Sequence, residues 1–96
     1  MTFNATLKRN DAPRVVRFSS SLPPEDVYIG RGSKWGNPFR IGWDGTREEV
    51  IARYAEWIKT KPELLAALPE LRGRNLACYC APKACHGDIL LKLANR

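Results

Sequence analysis

The sequence has little of several residue types that define common protein classes. Its 96 residues include three cysteines and one histidine, and no apolar run approaches the length that spans a bilayer. Three cysteines are too few, and odd in number, for a disulfide framework, and no secretory signal peptide is recognisable. These absences argue against membrane and secreted classes. We therefore expect a cytoplasmic protein without a membrane partner, whose cysteines are thiols, metal ligands or catalytic groups.

The charge balance favours anionic partners. Sixteen lysines and arginines stand against ten aspartates and glutamates, which gives a formal charge of +6. Nucleotides, other phosphorylated small molecules and nucleic acid are the partners that such a balance favours. The positive residues are spread along the chain without a run, so a generally solvated surface is the alternative interpretation.

The order of candidate elements predicts the fold class. Strand-like runs occupy residues 14–18, 27–29 and 75–80, and a capping box at Thr46 and Glu49 begins a helix. The apolar face of that helix extends to Ile58, and Arg47 and Arg53 fall on its solvent-facing side. Residues 62–68 and 88–94 read as two further helices, the first opened by a proline. We expect residues 1–13 to be a loose N-terminal segment and residues 14–96 to be one small α/β domain. Its sheet would have few strands, be largely parallel and Rossmann-like, and carry about three helices.

A glycine-rich stretch at residues 30–45 reads as a long, folded loop. It holds five glycines, one proline and two tryptophans, and it matches neither a Walker loop nor a dinucleotide fingerprint. Its glycines would let the backbone approach a ligand, its cations would hold phosphate or carboxylate, and its first tryptophan would stack on a ring. The candidate ligand-binding residues here are Gly30, Arg31, Gly32, Ser33, Lys34, Trp35, Gly36 and Asn37. The alternative is that Trp35, Phe39 and Trp43 close one end of a small core.

The segment at residues 76–88, LACYCAPKACHGD, gathers every cysteine and the only histidine. We expect Cys85 and His86 at the start of the last helix, near the carboxyl edge of the sheet, where the helix dipole favours a thiolate. Cys85 would then be a nucleophile and His86 an acid or base. Asp88 would either orient His86 or stabilise the first helical turn, and Gly87 would lie beside the bound ligand.

The same segment supports two other interpretations. Cys78, Cys80, Cys85 and His86 form a Cys₃His set suited to zinc, although their spacing is not that of a standard finger or ribbon. Alternatively, Cys78 and Cys80, which strand alternation places on one face, are small core residues.

Two motifs resemble those of a known family. Gly-Arg-x-x-x-Trp-Gly-Asn-Pro-Phe stands at residues 30–39, and Cys-x-Cys-x-Pro-x-x-Cys-His-Gly-Asp stands at residues 78–88. With the helix between them, they resemble the bacterial and phage family called domain of unknown function 4326. The resemblance covers about residues 27–95 and indicates where a site would lie, but it implies no reaction.

The residues therefore lead to three functional hypotheses. The first is binding of a nucleotide-like or phosphorylated small molecule, with hydrolysis or group transfer through Cys85 and His86. The second is a zinc-stabilised module that binds nucleic acid. The third is a phage or host protein that sequesters a nucleotide signal or another protein without turnover.

Overall fold

The computed structural model describes residues 12–96, so most of the expected loose segment at residues 1–13 lies outside the described residues. The strands are β1 (Val15–Arg17), β2 (Val27–Tyr28) and β3 (Leu76–Cys78). The α-helices are α1 (Arg47–Ile58), α2 (Pro62–Ala67) and α3 (Gly87–Ala94), and a 3₁₀ helix (Leu68–Leu71) follows α2 directly. Within the described range this confirms a small α/β domain with three α-helices.

The strands form one parallel sheet in the order β1-β3-β2. The last strand of the sequence is therefore central, with Leu76 paired to Val15 on one side and to Val27 on the other. Because all three strands run the same way, their carboxyl ends lie at one edge of the sheet. Loops that leave this edge are where ligand sites of open α/β sheets are found.

The helices supply the other half of the core. Helix α1 begins at the expected capping box, in which the Thr46 hydroxyl accepts from the Glu49 backbone and the Glu49 carboxylate accepts from the Thr46 backbone. Its buried residues, Val50, Tyr54 and Ile58, recur every four positions and so share one face. Helix α3 contacts β1, β3 and the 3₁₀ helix, and it buries Leu90 completely.

The observed limits differ from the predicted ones by one or two residues in all three strands and in helices α2 and α3, and two of these differences have a clear cause. Helix α2 ends at Ala67, one residue before its predicted end. The chain then continues as the 3₁₀ helix, which accepts Pro69 because this residue stands in the first turn of the 3₁₀ helix, where no backbone N–H is needed. Strand β3 ends at Cys78 instead of Cys80. Its neighbours end opposite Cys78 and Ala77, so Tyr79 and Cys80 have no strand beside them and form a turn. Strand alternation therefore does not place Cys80 beside Cys78.

Candidate functional site

A cavity of about 430 Å³ opens at the carboxyl edge of the sheet; we call it the edge cavity. Its wall combines residues from both halves of the glycine-rich loop after β2, the turn after β3 and the first turns of α1. Its floor includes Cys78, Cys85 and His86, which we call the Cys/His cluster. The cavity thus unites both of the motifs that the sequence analysis singled out.

The Cys/His cluster is compact and buried. The two sulfurs and one imidazole nitrogen all lie within 4.8 Å of one another, and all three residues are buried. His86 Nε2 lies 2.8 Å from the backbone oxygen of Ile29. Because a carbonyl oxygen only accepts, Nε2 carries a proton, and in the neutral imidazole Nδ1 then carries the lone pair. Burial lowers the pKa of His86, which favours this neutral form.

The thiols of the cluster differ from the expectation for a cysteine at a helix start. The hydrogen bond from the Cys85 thiol lowers the pKa of Cys78 to about 5, with help from the backbone of Cys80. As the donor in that bond, and as a buried group, Cys85 has a raised pKa, although its sulfur accepts the Gly87 N–H at 3.3 Å. The neighbouring thiols of Cys78 and Cys85 therefore favour one thiolate between them, and burial at this helix start raises the pKa of Cys85.

Cys80 lies at the rim of the cluster. It lines the edge cavity, is half-buried and lies outside the group of mutually close ligand atoms. Burial raises the pKa of its thiol, and the neighbouring Cys78 adds to the effect. The sequence led us to expect four close ligand residues. The structure instead groups three of them, and the thiol of Cys80 lies beside this group.

Asp88 and Gly87 shape the start of α3. Asp88 Oδ2 accepts the backbone N–H of Cys85 at 3.2 Å, which matches the second of its two expected roles, stabilisation of the first turn. A Cβ on Gly87 would lie 2.7 Å from Val15 Cγ2 and 2.8 Å from Ile29 Cδ1. Only glycine lets this turn approach the sheet closely enough to bring Cys85 and His86 against the end of β3.

The glycine-rich loop divides into two parts. Gly30, Arg31 and Asn37 line the edge cavity. The side-chain amide of Asn37 donates to the Val50 carbonyl at 3.2 Å, and its oxygen accepts the Phe39 N–H at 2.9 Å, so Asn37 also ties the loop to α1.

The other candidate ligand residues of this loop do not line the edge cavity, namely Gly32, Ser33, Lys34, Trp35 and Gly36. Trp35 is 2% exposed and packs in the core, where its carbonyl accepts the Tyr54 hydroxyl at 2.7 Å. Lys34 forms an ion pair with Glu70 at 2.9 Å. Trp35 therefore follows the core interpretation, whereas Trp43, expected in the same role, is 85% exposed.

Several cavity residues were missed by the sequence analysis. Arg40 and Trp43 lie in the second half of the glycine-rich loop, Tyr79 follows β3, and Arg47 opens α1. Helical spacing placed Arg47 on the solvated side, yet its guanidinium reaches across to donate to the Ala84 carbonyl at 2.9 Å. No spacing rule joins these four residues, and the only sequence signal among them was a second tryptophan in a glycine-rich loop.

The edge cavity is electropositive. Arg31, Arg40 and Arg47 line it, and among residues 12–96 no aspartate or glutamate does so. Among residues 12–96, no carboxylate forms an ion pair with any of these arginines. Three arginines at one concave site, none of them paired with a carboxylate of the described residues, favour an anionic ligand.

The fold and the cavity define a small α/β protein whose candidate ligand site lies at the carboxyl edge of a parallel sheet. The chain belongs to the family described as "Domain of unknown function (DUF4326)", whose sequence profile matches residues 15–96. This match confirms the resemblance that the two motifs indicated.

Two viral proteins of unknown function are similar to the chain. An uncharacterised 12.4 kDa protein from the nrdA-td intergenic region of Enterobacteria phage T4 is 43% identical over 76 residues, covering 74% of this chain and 68% of the phage protein. An uncharacterised protein of Acanthamoeba polyphaga mimivirus is 34% identical over 86 residues, covering 71% of this chain and 65% of the viral protein. The chain thus spans about two thirds of the length of these relatives.

No solved structure matches the chain significantly. In the part of the chain that the structure describes, no helix is long and apolar enough to cross a membrane.

Proposed function

We propose that the protein binds a phosphorylated small molecule of the nucleotide class in the edge cavity. The observation that carries this proposal is that Arg31, Arg40 and Arg47 line one cavity, which no acidic residue of the described part of the chain lines. Guanidinium groups bind phosphate through paired, charge-assisted hydrogen bonds, each stronger than a neutral hydrogen bond. The guanidinium of Arg47 is already oriented by Ala84, so it loses less freedom when a phosphate binds.

Aromatic groups at the mouth of the cavity support a ligand that also carries a ring. Trp43 is 85% exposed and Tyr79 is 59% exposed. Each ring therefore offers a large apolar surface that a bound ligand could cover. Stacking of a base on an exposed indole or phenol is worth roughly 1–3 kcal/mol. A ligand with both a phosphate and a heterocycle would use the arginines and the aromatic residues together.

The shape of the site favours a small molecule over nucleic acid. A volume of about 430 Å³ falls within the range of ordinary small-molecule pockets, roughly 300–1,000 Å³. Nucleic-acid binding in the second hypothesis would require an extended basic surface, whereas these arginines surround one concavity.

Calorimetric titration of the full chain tests the proposal. The panel comprises AMP, GMP, ribose 5-phosphate, inorganic phosphate, adenosine and a duplex DNA of mixed sequence. We expect nucleoside monophosphates to bind more tightly than ribose 5-phosphate, which lacks the base, or adenosine, which lacks the phosphate. Saturation by duplex DNA with no response to any phosphorylated small molecule would overturn the proposal.

Variants assign the binding to the edge cavity. Arg40→Gln should weaken nucleotide binding by about tenfold or more, since a hydrogen bond to a charged group contributes roughly 1.5–3 kcal/mol. Trp43→Ala should weaken nucleotide binding and leave inorganic phosphate unchanged. Arg96→Gln is the matched control, because this exposed C-terminal arginine does not line the cavity. Equal effects of Arg40→Gln and Arg96→Gln would place the binding elsewhere.

A second candidate function, hydrolysis or group transfer on the bound ligand, is favoured by one observation: the Cys/His cluster forms part of the floor of the same cavity. In hydrolysis, a water oxygen would bond to phosphorus or to the anomeric carbon as the leaving-group bond breaks, and the leaving atom would take up the proton. The test is product formation from each ligand that binds. Binding that survives His86→Gln and Cys85→Ser while product formation stops supports turnover. A wild-type protein that binds without any product supports the sequestering hypothesis instead.

A further inference from the structure

We propose that the Cys/His cluster is a zinc site with three protein ligands, Cys78 Sγ, Cys85 Sγ and His86 Nδ1, and a fourth coordination position that opens into the edge cavity. This inference goes beyond ligand binding by the arginines and does not depend on it. It also differs from the four-residue set expected from the sequence, because Cys80 is not a ligand.

The first support is the buried imidazole. His86 is 5% exposed, and its Nε2–H is used in the bond to the Ile29 carbonyl. Within residues 12–96, Nδ1 has no hydrogen-bond partner. A buried polar atom without a partner costs free energy, so native proteins rarely leave one unpaired. Histidines that bind metals through one nitrogen commonly donate the other N–H to a backbone carbonyl, which is the arrangement seen here.

The second support is the geometry of the donor atoms. Tetrahedral zinc, with bonds of about 2.3 Å to sulfur and 2.0 Å to nitrogen, separates its ligand atoms by roughly 3.5–3.8 Å. The sulfurs of Cys78 and Cys85 and one imidazole nitrogen of His86 already lie within 4.8 Å of one another. They are also held by different elements, since Cys78 ends β3 while Cys85 and His86 precede α3. Contraction by about one ångström would close the site on an ion.

The third support is the chemistry around the sulfurs. Cys85 Sγ accepts the Gly87 N–H at 3.3 Å, a bond that favours a thiolate. Two thiolates and one neutral imidazole are soft and borderline ligands that suit Zn²⁺, whereas Mg²⁺ and Ca²⁺ require oxygen. Two thiolates also neutralise the charge of the ion, so the loaded centre adds no net charge to a buried position. Zinc would load with release of the remaining thiol protons.

The fourth position follows from where the cluster lies. All three ligand residues line the edge cavity, so a water or a ligand atom entering from the cavity can complete the tetrahedron. A site with three protein ligands and one open position is the arrangement of catalytic zinc, while structural zinc is closed by four protein ligands.

The test uses the full chain, reduced, stripped with chelator and reloaded with Zn²⁺ or Co²⁺ alone. We expect stoichiometric zinc by mass spectrometry, a cobalt spectrum with a thiolate charge-transfer band, and X-ray absorption showing two sulfur scatterers at about 2.3 Å with lighter atoms for the rest. Failure to retain zinc, with no thiolate band from cobalt, overturns the proposal. Three sulfur scatterers overturn the open three-ligand site. Both measurements are made on the wild-type chain, so they do not require any variant to fold.

Variants then identify the ligands. Cys78→Ser, Cys85→Ser and His86→Gln should each lose stoichiometric zinc, and the glutamine amide can still donate to the Ile29 carbonyl. Cys80→Ser is the matched control, since it removes a neighbouring thiol and should retain zinc with an unchanged cobalt spectrum. Loss of zinc from Cys80→Ser equal to that from Cys85→Ser would overturn the ligand assignment. No nucleotide is present, so failure here is distinct from failure of nucleotide binding, which Arg40→Gln tests separately.

Discussion

The imidazole of His86 and the carbonyl of Ile29 are joined by a buried hydrogen bond of 2.8 Å between residues 57 positions apart. This bond fastens the start of α3 to the residue that follows β2. It brings the start of the glycine-rich motif and the cysteine-rich motif to one point, and it fixes the tautomer of the only histidine. Both the edge cavity and the Cys/His cluster depend on this approach of two segments distant in sequence.

Replacing Gly87 should disturb that approach. In Gly87→Ala the new methyl group would lie 2.7 Å from Val15 Cγ2 and 2.8 Å from Ile29 Cδ1, so α3 must move away from the sheet. We expect the free energy of unfolding to fall by about 1–3 kcal/mol, the usual cost of overpacking, in urea denaturation.

The control for Gly87→Ala is Gly73→Asn. Gly73 has φ +75°, which asparagine tolerates, and a Cβ there would meet no atom within 4 Å. We expect its stability to stay within about 0.5 kcal/mol of wild type. If Gly87→Ala were as stable as Gly73→Asn, the close packing of α3 on the sheet would be contradicted.

The hydroxyl of Tyr54 should stabilise the glycine-rich loop. It donates to the Trp35 carbonyl at 2.7 Å in a fully buried setting, so Tyr54→Phe leaves that carbonyl without this donor. We expect a loss of about 1–2 kcal/mol in urea denaturation. Tyr79→Phe is the control, since that ring is 59% exposed and should change stability little. Equal stability of the two variants would refute the role assigned to the bond.

The capping box should contribute measurably to α1. In Thr46→Ala the Glu49 backbone N–H loses its side-chain acceptor, which typically costs about 1 kcal/mol. Thermal and urea unfolding measure the loss. Thr46→Ser keeps the hydroxyl and should restore most of the stability; a serine variant as unstable as the alanine variant would show that the hydroxyl is not what matters.

Lys34 should not contribute to phosphate binding, contrary to the expectation from sequence. It lies outside the edge cavity, and its ion pair with Glu70 joins two side chains that are 51% and 59% exposed. Lys34→Ala should therefore leave nucleotide affinity unchanged and alter stability by less than about 1 kcal/mol. Arg31→Gln, from the same loop, should weaken binding about tenfold. If calorimetry showed a larger loss of nucleotide affinity for Lys34→Ala than for Arg31→Gln, the assignment of Arg31 to the edge cavity and of Lys34 to the surface outside it would be contradicted.

Much of the fold could be predicted because its signals are local. The capping box at Thr46, the proline that opens α2 and the last helix, expected at residues 88–94, each depend on residues within one or two turns, and all three elements are confirmed. The end of β3 could not be predicted in the same way. Cys78 is its last residue because the neighbouring strands stop there, and a strand cannot extend without partners.

The candidate site shows the same division. The sequence by itself determined that one motif holds the thiols and the imidazole, that a glycine-rich loop holds cations and aromatic residues, and that parallel strands would bring the two motifs toward one edge. Only the tertiary structure decided that Trp35 is core while Trp43 is exposed, that Arg47 reaches the cavity, and that Cys78 instead of Cys80 lies closest to Cys85 and His86. The physical reason is that a side chain's burial and charge environment depend on residues distant in sequence, and a local pattern carries no information about them.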